Sequence, residues 1–210
     1  MMRRFPPVAC LAALLFVLAA APPAPAQTLE WSPPPLGATV TLELRANGQT
    51  VQVDTEVLAI RDGDLVESRV SFPGFSTDEL SLRSVIYLES AAGTFDIPLA
   101  EARPLWPLEP GKSVSFEGTG TSAAGQPLAF ATTLTVAAIE EIEVPSGRFL
   151  TARVDNETAL STGSDTFLLN TRQWVDAATG LPVRSEIEVR SGGHLLQQVT
   201  MTAVAGPRIP

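Results

Sequence analysis

The side chains that could carry chemistry are few and lie far apart along the chain. His194 is the single histidine, and it lies in Ser-Gly-Gly-His, a predicted turn at the start of a strand. A catalytic triad holds its histidine between a nucleophile and a carboxylate, so we interpret His194 as an exposed turn residue. Ordinary zinc and copper sites need several nitrogen or sulfur ligands. The sequence therefore predicts no catalytic residue, no metal site and no cofactor.

Two groups of carboxylates are close together in the sequence. Asp62 and Asp64 offer two oxygens in Arg-Asp-Gly-Asp-Leu, whereas calcium takes six to eight oxygen ligands. Glu141 and Glu143 would share one face of a strand, as a pair of glycosidase carboxylates could. Charge along a strand edge is the commoner origin of such a pattern. We expect neither group to be catalytic, and the sequence predicts a protein that is not an enzyme.

Three aromatic residues are the stronger indications of a site. Trp106 lies between Pro104 and Pro107, Trp174 ends a predicted strand, and Phe149 follows the turn Pro-Ser-Gly. Tryptophan brings a large apolar area to a core, so a purely structural role is the first interpretation. The alternative is the lining of an apolar ligand site. Trp106, Phe149 and Trp174 are accordingly the candidate ligand-lining residues.

The elements that must position these residues read as β-strands. Residues 38–45, ATVTLELR, alternate apolar and polar side chains with a period of two, as in a half-buried strand. Asn47-Gly48 and Asp62-Gly63 follow as tight turns, since these residue types tolerate positive φ. Residues 38–72 therefore predict a three-stranded meander.

The rest of the chain continues this pattern with two interruptions. Residues 73–83 are expected to form a loop or a short helical turn, and the proline-rich residues 103–113 are expected to cross between groups of strands. No stretch of ten residues sustains a helical period. About ten or eleven strands at this spacing predict an all-β fold, a single antiparallel meander forming a curved sheet, half-barrel or sandwich.

The amino-terminal residues predict export. Arg3 and Arg4 precede the apolar run 8–21, and Ala-Pro-Ala at 24–26 fits a signal-peptidase site. The apolar run is too short for the roughly 20 residues of a spanning helix, so we expect no transmembrane span in the mature chain. Residues 1–26 are thus a predicted signal peptide, 27–36 a Pro-rich leader and 37–206 a single antiparallel β domain. The expected location is the periplasm or the exterior.

Composition limits the partners of the exported chain. Its one cysteine, Cys10, lies in the predicted signal peptide, so the mature chain is expected to fold without a disulfide. The mature chain keeps all 23 acidic residues and loses two of the 14 basic ones, giving 12 − 23 = −11. Because nucleic acids are bound by neutralising phosphates, we expect no nucleic-acid partner.

Two stretches also carry a resemblance to known proteins. VPSGRFLTARV (144–154) followed by RQWVDAATGLPVRSE (172–186) resembles a pattern of uncharacterised secreted or periplasmic bacterial domains of unknown function. PLWPLEPGKSVSF (104–116) resembles the segment that precedes it there. The resemblance covers about residues 103–189 and implies a half-barrel fold like that of lipoprotein carriers. It implies no catalytic residues, and the functional parallel is an analogy of fold.

Two functions are compatible with these observations. The first is a non-enzymatic module that binds an apolar small molecule on a concave sheet face, with small side chains such as Ala129 and Ala131 leaving space. The alternative is a structural or assembly protein of the envelope that contacts another envelope protein, for example through a sheet edge. The sequence leaves the choice between them open.

Overall fold

The computed structural model describes residues 27–209, and the predicted signal peptide lies outside them. Twelve strands and one short helical connection make up the described chain. The strands are β1 (Thr39–Ala46), β2 (Gln49–Arg61), β3 (Leu65–Phe72), β4 (Phe75–Leu82), β5 (Ile86–Ser90), β6 (Gly93–Asp96), β7 (Ser113–Ser122), β8 (Pro127–Val144), β9 (Gly147–Thr162), β10 (Asp165–Asp176), β11 (Pro182–Ser191) and β12 (His194–Arg208). Between β6 and β7 lie helix α1 (Leu99–Ala102) and a 3₁₀ turn (Arg103–Leu105).

The strands form one antiparallel ring. Each strand pairs with the next along the chain, and β1 also pairs with β12, so the sheet closes into a barrel. This confirms the predicted all-β antiparallel meander. The ring closes further than the half-barrel that the sequence resemblance implies, because Leu42 lies opposite both Val53 of β2 and Ala203 of β12.

The predicted turn residues form the hairpin turns. Asn47 and Gly48 have φ of 52° and 76°, and Asp62 and Gly63 have φ of 50° and 81°. This left-handed conformation favours asparagine, aspartate and glycine. These turn residues therefore determine where the chain reverses direction.

The two ends of the barrel differ. One end, which we call the closed end, carries the turns at 62–64, 83–85, 145–146 and 177–181, together with α1, the 3₁₀ turn and the leader. The leader is joined to the loop before β7 by backbone hydrogen bonds between Leu29 and Leu108. The opposite end, the open end, has only the short hairpin turns at 47–48, 73–74, 91–92, 123–126, 163–164 and 192–193.

Most of the tightly packed core lies towards the closed end. Leu82, Leu105 and Leu134 belong to one buried cluster, and Val40 and Val183 to a second. Asp64, in the β2–β3 turn, accepts hydrogen bonds from Arg103 of the 3₁₀ turn at 2.9 and 3.2 Å. The hydrogen bonds from Arg103 hold the pKa of the Asp64 carboxyl below its ordinary value. The ion pair thus fastens the helical connection to the barrel.

Residues 73–83 differ from the expectation of a loop or helical turn. Most of them form β4, which pairs with β3 along its whole length, from Phe72–Phe75 to Leu65–Leu82. The prediction was wrong because Pro73 and Gly74 form only a two-residue turn. The strand that follows them has no clean alternation of apolar and polar residues, and its pairing with β3 stabilises it.

Candidate functional site

Strand register and one long-range hydrogen bond identify the face of the sheet that forms the inside of the barrel. Val154 of β9 lies opposite Gln173 of β10, and Gln173 lies opposite Ser185 of β11. The Gln173 amide donates to the Ser84 carbonyl, 89 residues away beside β5, at 3.1 Å. Since β10 and β5 are not neighbours in the ring, this bond crosses the interior. The face that carries Gln173 is therefore the inner wall.

A bulge keeps the inner wall continuous across β4 and β5. Ser81 lies opposite Tyr87, whereas Leu80 lies opposite Glu89, so Leu88 is an extra residue on β5. A bulge of this kind reverses the alternation of the strand that contains it. As a result, Tyr87 shares the inner wall with Ser81 and with Glu79, which is two residues from Ser81 on the same face.

The inner wall towards the open end is apolar but incompletely buried. Adjacent β strands contribute Leu169 opposite Val189, Met201 opposite Leu44, and Val51 opposite Leu44 on the other side. All of these side chains keep intermediate exposure, unlike Val40, Val154 and Val175 near the closed end. The partly exposed apolar residues of this open half of the inner wall are Leu44, Val51, Phe72, Leu88, Phe95, Leu160, Phe167, Leu169, Ile187, Val189, Val199 and Met201.

The width of the ring accounts for this partial burial. The interior of an eight-stranded barrel is just wide enough for side chains to fill, and the diameter grows with the number of strands. A ring of twelve strands is wider, and in this protein its closed end is filled by the two core clusters and the helical connection. Towards the open end, Leu128 and Phe130 of β8 are still buried, whereas the apolar inner-wall residues of β10, β11 and β12 keep intermediate exposure.

Polar side chains also line part of the inner wall, and we call them the polar belt. Glu79, Tyr87 and Gln173 form one side of this polar belt, with Ser68 and Ser81 beside them. Ser68, Ser81 and Gln173 are buried, whereas Tyr87 keeps 37% of its surface exposed.

The polar belt continues along β8 and β9. The Thr132 hydroxyl donates to the Asn156 amide oxygen at 2.6 Å and lies 2.7 Å from the Thr158 hydroxyl. Thr158 donates to the same amide oxygen at 3.0 Å. Thr132 is buried, and these bonds satisfy a polar group that would otherwise destabilise the core.

Two titratable groups of the polar belt are strongly perturbed. Burial raises the pKa of the Glu79 carboxyl from 4.5 to about 7, opposed by a backbone hydrogen bond from Ala91. Burial also raises the pKa of the Tyr87 phenol, as does the nearby Glu79 charge, while the Gln173 side chain lowers it. Tyr87 therefore lies near both Glu79 and Gln173 on the inner wall.

The three candidate ligand-lining residues lie at two separate places near the closed end. Trp174 is buried in the second cluster, and Phe149 packs against that cluster, so the structure brings these two together. Trp106 lies in the other cluster. The Trp174 indole donates to a Glu140 carboxylate oxygen at 2.9 Å, and the Arg184 guanidinium lies 4.7 Å from its ring centroid.

Trp106 borders a small crevice instead of a ligand-sized cavity. The Arg83 guanidinium lies between two indoles, 5.2 Å from the Trp31 ring centroid and 4.9 Å from that of Trp106. The crevice beside them has a volume of about 30 Å³, enough for a water molecule. The tryptophan and arginine stack therefore packs the leader against the barrel.

The remaining chemical candidates are dispersed. His194 is exposed at the start of β12. Within residues 27–209, no three histidine, cysteine, aspartate or glutamate side chains gather as a metal site would require. No helix in the same range has the length and apolar character needed to span a membrane.

Sequence reasoning missed Glu79 and Tyr87. In residues 75–82 the apolar Leu80 and Leu82 alternate with Glu79 and Ser81, so pattern alone places the leucines inside. The structure reverses this assignment. Leu82 instead joins the buried cluster that contains residues of the helical connection. The only sequence signal for the polar belt is that two neighbouring short segments each contain a large polar residue, Glu79 and Tyr87.

Comparison with known proteins shows similarity of fold. No protein-family model matches the chain, and no curated protein matches it. The hypothetical lipoprotein YmcC from Escherichia coli K12 superposes with a TM-score of 0.52 and 16% identity, over 83% of this chain and 87% of that one. A lipoprotein candidate from Parabacteroides distasonis gives 0.51 and 13% identity, over 85% and 99%. At such identities the likeness concerns the fold, which this chain shares with bacterial β proteins of uncharacterised function.

Proposed function

We propose that this protein is an exported, non-enzymatic binding module that holds the apolar part of a small molecule inside the open half of its barrel. The observation that carries the proposal is the partly exposed apolar inner wall, which includes Leu44, Val51, Phe167, Leu169 and Val189. Apolar surface that a folded chain leaves accessible in a concave space is typical of a ligand site. The site differs from the sequence-based candidates at Trp106, Phe149 and Trp174.

The driving force would be burial of hydrocarbon. Each buried methylene contributes about 0.8 kcal/mol, so a twelve-carbon chain gains about 10 kcal/mol before the costs of association. Those costs amount to several kcal/mol for a small ligand. Micromolar affinity is therefore the expected range.

Export is part of the same proposal. It is supported by the basic and apolar amino-terminal residues, and by the lipoprotein descriptions of the two structures with which the chain shares its fold. An apolar molecule needs a protein container in an aqueous compartment outside the membrane. Periplasmic or secreted location and binding of an apolar molecule therefore fit together.

Two neighbouring leucines supply a matched test. Leu169 lies on the inner wall opposite Val189, whereas Leu168 lies on the outer face and is 50% exposed. We expect purified protein to bind the fluorescent probe N-phenyl-1-naphthylamine saturably, with displacement by dodecanol. Leu169→Glu should weaken binding at least tenfold because it places a charge in an apolar wall, and Leu168→Glu should change it less than twofold.

A second pair of variants tests the same site without adding a charge, in case Leu169→Glu fails to fold. Val189→Trp fills the open half without adding charge, and Glu188→Trp adds the same bulk to the outer face. Probe binding lost in Val189→Trp and retained in Glu188→Trp supports an internal site. No saturable binding by the wild-type protein, or equal effects of the two tryptophans, would contradict the proposal.

The alternative, an assembly role in the envelope, has a weaker structural basis. Partner strands add to free sheet edges, and within the described residues each of the twelve strands already has a neighbour on both sides. Specific crosslinking of the wild-type protein to one envelope protein, together with absence of probe binding, would favour the alternative.

A further inference from the structure

The side chains of the inner wall on β10 change from apolar to polar with depth, as the two parts of an amphiphilic molecule do. From the open end inward, β10 presents Phe167, Leu169, Thr171, Gln173 and Val175 on this wall. Exposure falls along the same series, since Gln173 and Val175 are buried and the others are not. On β10, the polar Thr171 and Gln173 therefore lie deeper in the barrel than the apolar Phe167 and Leu169.

The charged member of this inner polar region has no counter-ion in the described chain. The arginines nearest along the strands are engaged elsewhere. Arg69 donates to Asp78 on the outer face of β3 and β4 at 2.8 Å, and Arg83 and Arg103 bind Asp64. Glu79 has a backbone hydrogen bond and no ion pair within residues 27–209. The Glu79 side chain is partly exposed, and desolvation disfavours its charged form, so a cation beside it would stabilise that form.

We infer that the binding module takes an amphiphile whose polar end is a positively charged amine, held by the Glu79 carboxylate and the Tyr87 side chain. Tyr87 and Glu79 are diagonal neighbours across β4 and β5, a spacing that long side chains bridge. The phenol adds a hydrogen-bonding group and an aromatic face, which attracts cations. This inference rests on the proposed function, and it adds the chemical class of the ligand.

The same geometry predicts discrimination by charge. A carboxylate-ended chain would bring a second negative charge beside Glu79, and like charges in a desolvated site repel strongly. An uncharged alcohol of equal length would gain the apolar contacts alone. We therefore expect the affinity order amine, then alcohol, then carboxylate.

The ionisation of Glu79 makes the preference depend on pH. The pKa of about 7 leaves roughly one tenth of the groups ionised at pH 6 and roughly nine tenths at pH 8. A primary amine stays protonated at both pH values, because its pKa is near that of lysine, about 10.4. The other titratable group facing Glu79 is Tyr87, which stays neutral in this range because burial raises its pKa. Glu67, Asp78 and Glu89 lie on the opposite face of β3, β4 and β5.

The test is competition for the N-phenyl-1-naphthylamine site by dodecylamine, dodecanol and dodecanoate, each at pH 6 and pH 8. The wild-type protein should bind dodecylamine about tenfold more tightly than dodecanol at pH 8, as expected for a charged hydrogen bond, and with a much smaller preference at pH 6. Glu79→Gln should abolish the amine preference and its pH dependence. Asp78→Asn, one residue away on the outer face, should leave both unchanged.

The outcomes separate this inference from the proposed function. Equal displacement by all three competitors, unaffected by Glu79→Gln, would overturn the amine site while leaving the apolar site intact. Preference for dodecanoate would overturn it as well. If no competitor displaces the probe, or the probe does not bind, both proposals fail. Tyr87→Phe serves as a second variant, which should reduce the amine preference without removing its pH dependence.

Discussion

Replacing Glu79 by glutamine should change how the stability of the unliganded protein depends on pH. The carboxyl has its ordinary pKa of 4.5 in the unfolded chain and a pKa of about 7 in the folded barrel. Between these values the folded state holds a proton that the unfolded state has released, so the free energy of unfolding decreases as pH rises. Above pH 7 both states are ionised and the loss is complete. Glutamine cannot ionise, so Glu79→Gln should be free of this loss.

The size of the effect follows from the two pKa values. At about 1.36 kcal/mol per pH unit, the difference between 4.5 and 7 corresponds to about 3 kcal/mol at high pH. Part of this loss is already present at pH 5, which leaves about 2.5 kcal/mol between pH 5 and pH 8. The desolvation of the glutamine amide has its own free-energy cost, but that cost is independent of pH. The informative quantity is therefore the difference between the two pH values.

Urea unfolding of the wild type and the variant at pH 5 and pH 8 measures this quantity, provided that the denaturant slope stays constant. Asp78→Asn is the matched control. The hydrogen bonds from Arg69 hold the pKa of the Asp78 carboxyl below its ordinary value, so this group is ionised in both states at both pH values. If Glu79→Gln shifts stability by the same amount at pH 5 and pH 8, within about 0.5 kcal/mol, the desolvation of Glu79 is refuted.

Two further predictions concern the packing that leaves the open half unfilled. Leu105→Ala should lower the free energy of unfolding by about 2–5 kcal/mol, because Leu105 is fully buried in the helical connection. The exposed control Leu168→Ala should lower it by less than about 0.5 kcal/mol. Urea unfolding measures both. A similar result for both would mean that the closed end is loosely packed. Gly120→Ala should destabilise by about 1–3 kcal/mol, because the added carbon would lie 2.2 Å from the Thr94 carbonyl oxygen on β6; the control Thr119→Ala should be nearly neutral, and equal stability of the two variants would contradict the close approach of β6 and β7.

The amino-acid sequence predicted the class of fold because that information is local. Asn47-Gly48 and Asp62-Gly63 specify reversals through the backbone conformations that these residues tolerate. Alternation over residues 38–45 specifies a half-buried strand. Both signals act within a few residues, and each can be read without knowing the partner strand.

Turn residues and side-chain alternation could not predict the candidate site. Trp106, Phe149 and Trp174 were selected for their apolar area, and the structure places them in the core clusters or against them. The residues that line the accessible space are ordinary strand residues such as Leu169 and Val189. Their identity gives no indication of function, because a filled barrel would use the same residue types.

By itself, the sequence determined that this chain reverses at defined turns, alternates its side chains between two faces and forms an antiparallel meander. The tertiary structure alone decided that β1 meets β12, that Glu79 faces inward opposite Ser68, that an extra residue at Leu88 turns Tyr87 to the same face, and that Gln173 reaches the Ser84 carbonyl. The physical reason is that turn geometry and alternation are short-range properties of the backbone. Ring closure depends on pairings between residues more than a hundred positions apart, such as Leu42 and Ala203. The choice of the inner face depends on contacts such as that of Gln173 with Ser84, 89 positions away.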